Sequence, residues 1–371
     1  MLGKKSLFAA FAAWGLGSSA LAGEEFGLAN LSEVMLPQGV GAVRLESRYG
    51  SARHKFDSSG ERKPLADSLD GITVFNPLGP SYVGVTDISS EVSGVRERLI
   101  LGYGLSADLT VGVMIPWATL RHQVRFDLAA PAPGATPDDV NTILGAVYGY
   151  KPIKSTTTSG LLDPVVGARW RAMRGSHDSL ILSGGVRIGM TDPDDPASLV
   201  DLQLEDGTTD ILAGLEYRRA LGGNWDATFK YQRAWQLPDK VDARARAVGE
   251  SLVPASRTER LDRDQGDTHE FMVELGYRMQ DWRLLGRVER YVRGATDWDS
   301  PLGQDVSGLE QNSARRYTTL SAGFAWSSID RFKQGDFPLP LVVEFIAQHM
   351  VEGVNAVQST DYNLNLTVPF R

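Results

Sequence analysis

The 371 residues include no cysteine, so no disulfide can staple the fold, even in an oxidising compartment. Histidine is scarce. His54, His122, His177, His269 and His349 are the whole set, and no two stand at the i, i+4 spacing of a helical metal pair. Beyond the N-terminus no run of about eighteen apolar residues occurs, which excludes a later transmembrane helix. Mean hydropathy is only −0.19, a value usual for a soluble protein. Basic charge is in deficit, with 38 Lys and Arg against 46 Asp and Glu. Such an acidic chain suits a nucleic-acid backbone poorly, and no nucleic-acid partner is expected. No cofactor and no metal is expected either.

The N-terminus does carry an apolar stretch. Lys4 and Lys5 precede the run Leu7 to Leu16, and Ala20-Leu21-Ala22 supplies a small-x-small cleavage site. Residues 1–22 therefore read as a secretory signal, too short to span a bilayer. Cleavage removes both lysines and leaves 36 basic against 46 acidic residues, a net charge of −10. The expected layout is a signal at 1–22, a short periplasmic segment at 23–38 and a β-barrel at 39–371.

The barrel expectation begins at the C-terminus. Tyr362, Leu364, Leu366, Val368 and Phe370 alternate with Asn363, Asn365, Thr367 and Pro369. A strand with one lipid face and one wet face must alternate so, because successive side chains point to opposite sides. The pattern resembles the C-terminal assembly signal of bacterial outer-membrane barrels, with Arg371 following the normally terminal aromatic. Similar alternation recurs at about 39–50, 92–104, 109–126, 161–173, 179–190, 210–220, 225–237, 267–278, 282–293, 315–326 and 339–350. With the last strand the count is about twelve, even as expected for a single-chain bacterial barrel. Its low mean hydropathy is no objection, because each lipid-facing residue is followed by a polar one.

The connections sort into short and long in alternation. Short ones fall at 105–108, 174–178, 221–224, 279–281 and 327–337; long ones at 51–91, 127–160, 191–209, 238–266 and 294–314. Only 351–358 breaks the trend. The expected fold is all-β: a transmembrane up-and-down antiparallel barrel with short periplasmic turns and long extracellular loops. Aromatics beside the short turns, Tyr103, Trp170, Tyr217, Trp225, Tyr277, Trp282, Trp326 and Phe370, are candidates for a membrane girdle. Tyr49, Trp117, Trp235 and Tyr362 fall near the long loops.

The opposite parity is rich in charge. Arg44, Arg48, Arg96, Arg98, Arg169, Arg171, Arg187, Arg218, Lys230, Arg278 and Arg287 are expected to face the lumen, with Glu46, Glu216, Glu274, Glu289 and Glu344 among them. Lipid cannot hold these groups cheaply, whereas a watery lumen can. They either line a solute path favouring anionic or polar-aromatic molecules or pair across the lumen into a salt-bridged filling. Twelve strands fall between the filled eight-strand barrel and the open porin, so a narrow or gated path is expected. The loop at 51–91, with Val74-Phe75 and Tyr82-Val83, is the gating candidate. His269 and His349 are expected near the outer rim, with no serine motif beside either. Asp192-Pro193-Asp194-Asp195-Pro196 reads as a turn-rich loop rather than a calcium loop.

Three segments carry a family resemblance: Leu99 to Val113, a hairpin around Leu105-Ser106-Ala107-Asp108; Leu161-Leu162-Asp163-Pro164 through Trp170; and Gly185-Val186-Arg187-Ile188-Gly189-Met190-Thr191. Together they resemble the outer-membrane transporters of the meta-pathway phenol-degradation family. The resemblance implies passage of small hydrophobic or aromatic compounds. Related long-chain fatty-acid transporters have an N-terminal hatch, but here only about fifteen to twenty residues separate the signal from the first strand, too few to plug a barrel. The expected function is passive transport of small molecules across the outer membrane. Alternatives are a closed barrel whose external loops bind a partner or a surface polysaccharide, and an outer-membrane hydrolase. Expected partners are outer-membrane lipid, lipopolysaccharide, a small-molecule solute and, through the C-terminal strand, the barrel-assembly machinery.

Overall fold

A computed structural model describes residues 35–76, 81–192, 195–200 and 202–370. The signal at 1–22 and most of the segment at 23–38 lie outside the described residues. Alternating Val, Leu, Ile and aromatic residues form twelve long strands: β1 (Gly41–Phe56), β2 (Tyr82–Ser106), β3 (Leu109–Ala129), β4 (Val165–Arg174), β5 (Asp178–Arg187), β6 (Asp210–Gly222), β7 (Trp225–Gln236), β8 (Thr268–Met279), β9 (Trp282–Arg293), β10 (Arg315–Ser327), β11 (Val342–Val354) and β12 (Ala356–Phe370). Each pairs antiparallel with its neighbours in sequence. The ring closes because β1 has two partners. Gly41 lies opposite Phe370 of β12 and opposite Tyr103 of β2. A closed ring satisfies the backbone groups that an open edge would leave bare, which is what hydrocarbon demands.

The outer face is apolar and uncovered. Val166, Val273, Leu275, Val288, Leu320 and Leu364 are each about half exposed. A belt of this size facing water would drive aggregation; facing lipid it needs no partner. Trp225 and Trp235 stand ten residues apart on the outward parity of β7. At about 3.3 Å per residue and about 40° of tilt they bracket roughly 25 Å, the height of an outer-membrane apolar band. The short-turn aromatics Tyr103, Trp170, Trp225, Trp282 and Phe370 are exposed, while Tyr217, Tyr277 and Trp326 are half-buried against neighbours. Trp225 and Tyr277 touch across the strand pair, ring centroids 4.8 Å apart. Glu97 stands on this outward parity too, and Trp117 donates its indole N–H to the carboxylate at 2.5 Å.

The structure lengthens several strands. The expected loop at 51–91 shrinks to 57–81, because β1 runs to Phe56 and β2 starts at Tyr82. β2 has 25 residues and β3 has 21, far more than a bilayer needs. Their ladder continues to Val85 opposite Ala129, so this hairpin stands well above the membrane. β11 begins at Val342 instead of about 339, and the preceding connection holds a short helix, Ile329–Gln334. The exceptional 351–358 connection is a tight turn at Asn355, whose φ of 51° is a left-handed conformation that asparagine tolerates.

The charged residues do not fill the whole inner face. On one side Ile100, Met114, Ala118, Leu120 and Leu212 point inward and are buried together with Leu65, Leu162, Leu202 and Leu204. The last two come from the connection 188–209, which folds into the barrel. The 57–81 connection contributes Leu65, whereas its Phe75 is exposed and meets Tyr82 edge-on outside the barrel. At the short-turn end the described part of the N-terminal segment lies against the inner wall. The Leu36 N–H donates to Thr110 Oγ1 at 3.1 Å, and Gly104 admits the chain because a Cβ there would stand 2.1 Å from the Pro37 carbonyl oxygen.

Candidate functional site

The charged residues gather on the other side of the lumen. Alternation on β1, β2 and β11 brings Arg44, Glu46, Arg98 and Glu344 to one level. Arg44 lies 2.7 Å from Glu46 and 3.3 Å from Glu344, and Arg98 lies 3.0 Å from Glu46. Asn365 of β12 donates to Glu344 at 2.7 Å, and Arg48 reaches Asp361 at 2.9 Å. On the other strands, Glu216 of β6 sits among three cations. Arg169 of β4 is 2.7 Å away, Lys230 of β7 is 3.7 Å away, and Arg218 donates its Nε–H. Glu274 of β8 accepts from Arg287 at 2.6 Å and from Arg283 at 2.7 Å, both on β9. Arg283 also bonds Asp226 at 2.5 Å, its guanidinium lying over Gly276, where a Cβ would collide with it. Arg187 pairs with Asp210, both buried. Arg171 lies 3.5 Å from Asp108 at a short turn, and Glu289 lies 3.5 Å from Arg287. Arg278 stands at the short-turn mouth, largely exposed, 3.6 Å from Asp226.

Asp210, Asp226, Asp361 and Arg283 join these pairs although they are not among the residues expected to line the lumen. Parity alone locates them, since Asp226 follows Trp225, Arg283 follows Trp282 and Asp361 precedes Tyr362. A single carboxylate is a weaker signal than an arginine-rich run, yet these complete the pairs. The pairing resembles a filling, but it leaves space inside the barrel. A central cavity of about 120 Å³ remains, bordered by Arg44, Arg48, Arg96, Arg98, Lys230, Arg287 and Arg290 and by Glu46, Glu270, Glu289 and Glu344. Tyr291 and Tyr317 line its long-loop end, stacked at 4.6 Å and packed with Phe56 and Met350. A larger cavity of about 380 Å³ forms the short-turn mouth, bordered by Arg218, Arg219, Lys230, Arg278 and Arg283 and by Asp178, Asp226 and Glu274. A small pocket beside Arg169 and Glu216 lies between them. Lys230 borders all three.

Asp163, from a segment that carries the family resemblance, lies fully buried where the extracellular connections meet the barrel. Its Oδ1 accepts from the Met190 N–H at 2.7 Å, the Thr191 N–H at 2.8 Å and the Thr191 hydroxyl at 2.8 Å. Its own N–H donates to Glu205 at 2.6 Å. Burial pushes the Glu205 carboxyl up to about 7, although Arg187 and Arg96 pull the other way. The rim histidines have local partners. His269 meets the Tyr231 hydroxyl at 2.9 Å and His349 the Thr360 hydroxyl at 2.7 Å, both on the outward parity. Among the described residues no group of three metal-ligating side chains occurs. Pro193 and Asp194 of the turn-rich loop lie outside the described residues, and Asp195 pairs with Lys151.

No family model matches the chain, and no curated protein matches it. Among solved structures, an outer-membrane channel from Pseudomonas putida F1 is similar over 93% of this chain and 100% of its own length, at 12% identity and a TM-score of 0.59. The transport unit of the autotransporter AIDA-I from Escherichia coli aligns over 96% of this chain and 99% of its own, at 8% identity and 0.47. A TodX monoaromatic hydrocarbon channel mutant aligns over 95% and 93%, at 11% identity and 0.40. The first likeness bears on the fold: a closed twelve-stranded barrel of the outer-membrane type.

Proposed function

We propose that this protein is a narrow channel for passive diffusion of small molecules across the outer membrane of a Gram-negative bacterium. One observation carries the reading: an apolar belt outside surrounds a lumen whose charged side keeps a central cavity and a larger one at the short-turn mouth, both bordered by Lys230. The polar walls let a solute exchange water for side-chain partners, and the small central volume restricts passage to small solutes. Export by the signal at 1–22 precedes assembly, with β12 as the strand offered to the assembly machinery. Lipid and lipopolysaccharide then cover the outer belt. The family resemblance adds small aromatic compounds as candidate solutes.

A second reading has its own support. The connections 237–267 and 294–314 contribute a separate three-stranded sheet, Asp239–Arg244, Thr258–Asp264 and Asp297–Asp299, which suits a surface that binds a partner. Single-channel recording in planar bilayers separates the two. A channel gives steady small openings that change when Arg96 or Arg169 is neutralised. Correctly inserted but electrically silent barrels would remove the transport reading.

A further inference from the structure

We infer that the lumen selects small organic anions, carboxylates above all, and that Lys230 sets this preference at the passage between the central cavity and the short-turn mouth. The inference rests on the channel reading and names its substrate class. The mature chain is acidic, yet both cavities reverse that sign. Counting only the inward parity, six basic and four acidic side chains border the central one, and four basic and two acidic the mouth, since Arg290, Arg219 and Asp178 stand on the outward parity. The small pocket between them has Arg169 and Lys230 against Glu216. In a narrow, low-dielectric tube such an excess focuses a positive potential along the axis, which concentrates anions and repels cations.

Lys230 has the commanding position. Its side chain is nearly buried, it borders all three cavities, and Glu216 lies a loose 3.7 Å away. Glu216 is already shared with Arg169 and Arg218, so one carboxylate cannot neutralise the cluster. A mobile ammonium can follow a passing carboxylate from one cavity to the next, as a planar guanidinium held by two acids cannot. The central volume of about 120 Å³ is slightly below the roughly 150 Å³ that holds a benzene ring. Solutes smaller than one ring are therefore the ones that fit it as it stands, while a one-ring carboxylate fits the larger mouth beside Lys230 and can block there.

The test is the reversal potential of the full-length mature protein in planar bilayers under a potassium chloride gradient, followed by block of the chloride current with sodium benzoate. Chloride should be preferred over potassium by at least about threefold, and benzoate should reduce the current while neutral benzyl alcohol does not. Lys230→Gln should bring the ratio close to one. Asn363→Asp adds a carboxylate beside the central cavity without removing a pair, and should lower the ratio as well. Conducting channels that prefer cations or neither ion overturn the inference and leave the channel reading intact. Silent, inserted barrels overturn both. An anion preference untouched by either substitution overturns the role given to Lys230 and the cavity charge.

Discussion

Asp163→Ala tests how the extracellular connections are held to the barrel. One carboxylate oxygen accepts three hydrogen bonds from Met190 and Thr191, in a place with no access to water. A bond to a charged acceptor contributes about 1.5–3 kcal/mol, and a buried donor left without an acceptor costs about 1–3 kcal/mol. The three share one oxygen and are not additive, so alanine should destabilise the docked 188–209 connection by about 3–5 kcal/mol. Because 1.36 kcal/mol is a factor of ten, local opening should rise by roughly two to nearly four decades. Hydrogen exchange of the Met190 and Thr191 amides in detergent reads this directly. Asp163→Asn keeps the acceptor at Oδ1 but removes the charge and puts an NH2 group in place of Oδ2, so its effect should be smaller than that of alanine, about 1–2 kcal/mol. Less than about tenfold acceleration in the alanine variant, or equal effects of the two substitutions, would refute the assignment of Asp163 as the latch.

Two further outcomes follow from the same geometry. The Glu205 carboxyl is pushed up to about 7 from an ordinary 4.5, so the folded loop holds a proton that the unfolded chain releases. Docking should be strongest below about pH 4.5 and weaken as pH rises toward 7, by at most about 3 kcal/mol; Glu205→Gln should abolish the trend. Protection of residues 202–206, corrected for intrinsic exchange, should fall between pH 5 and 8, and a flat profile contradicts the buried-carboxyl account. On the outer wall, Val273→Arg places a guanidinium in the apolar band of β8 and should cost about 2–4 kcal/mol in reversible folding into bilayers. Val273→Leu should change stability by less than about 0.5 kcal/mol, and similar results for the two would contradict a lipid-facing Val273.

The sequence by itself determined the wall. A strand that separates lipid from water must repeat every two residues, so strand number, facing and the alternation of short and long connections are all written in the order of apolar and polar residues. The ladder β9 occupies the expected 282–293, and Arg44, Glu216 and Glu274 point inward as parity requires. Tertiary structure alone decided the contents of the lumen. Leu202 and Leu204 look like ordinary loop residues until 188–209 folds back on Met114 and Leu120, because burial of a loop depends on residues far away in sequence. The meeting of Arg169, Arg218 and Lys230 at Glu216 was likewise invisible, since parity fixes which side a charge faces and only the closed ring fixes which charges stand opposite.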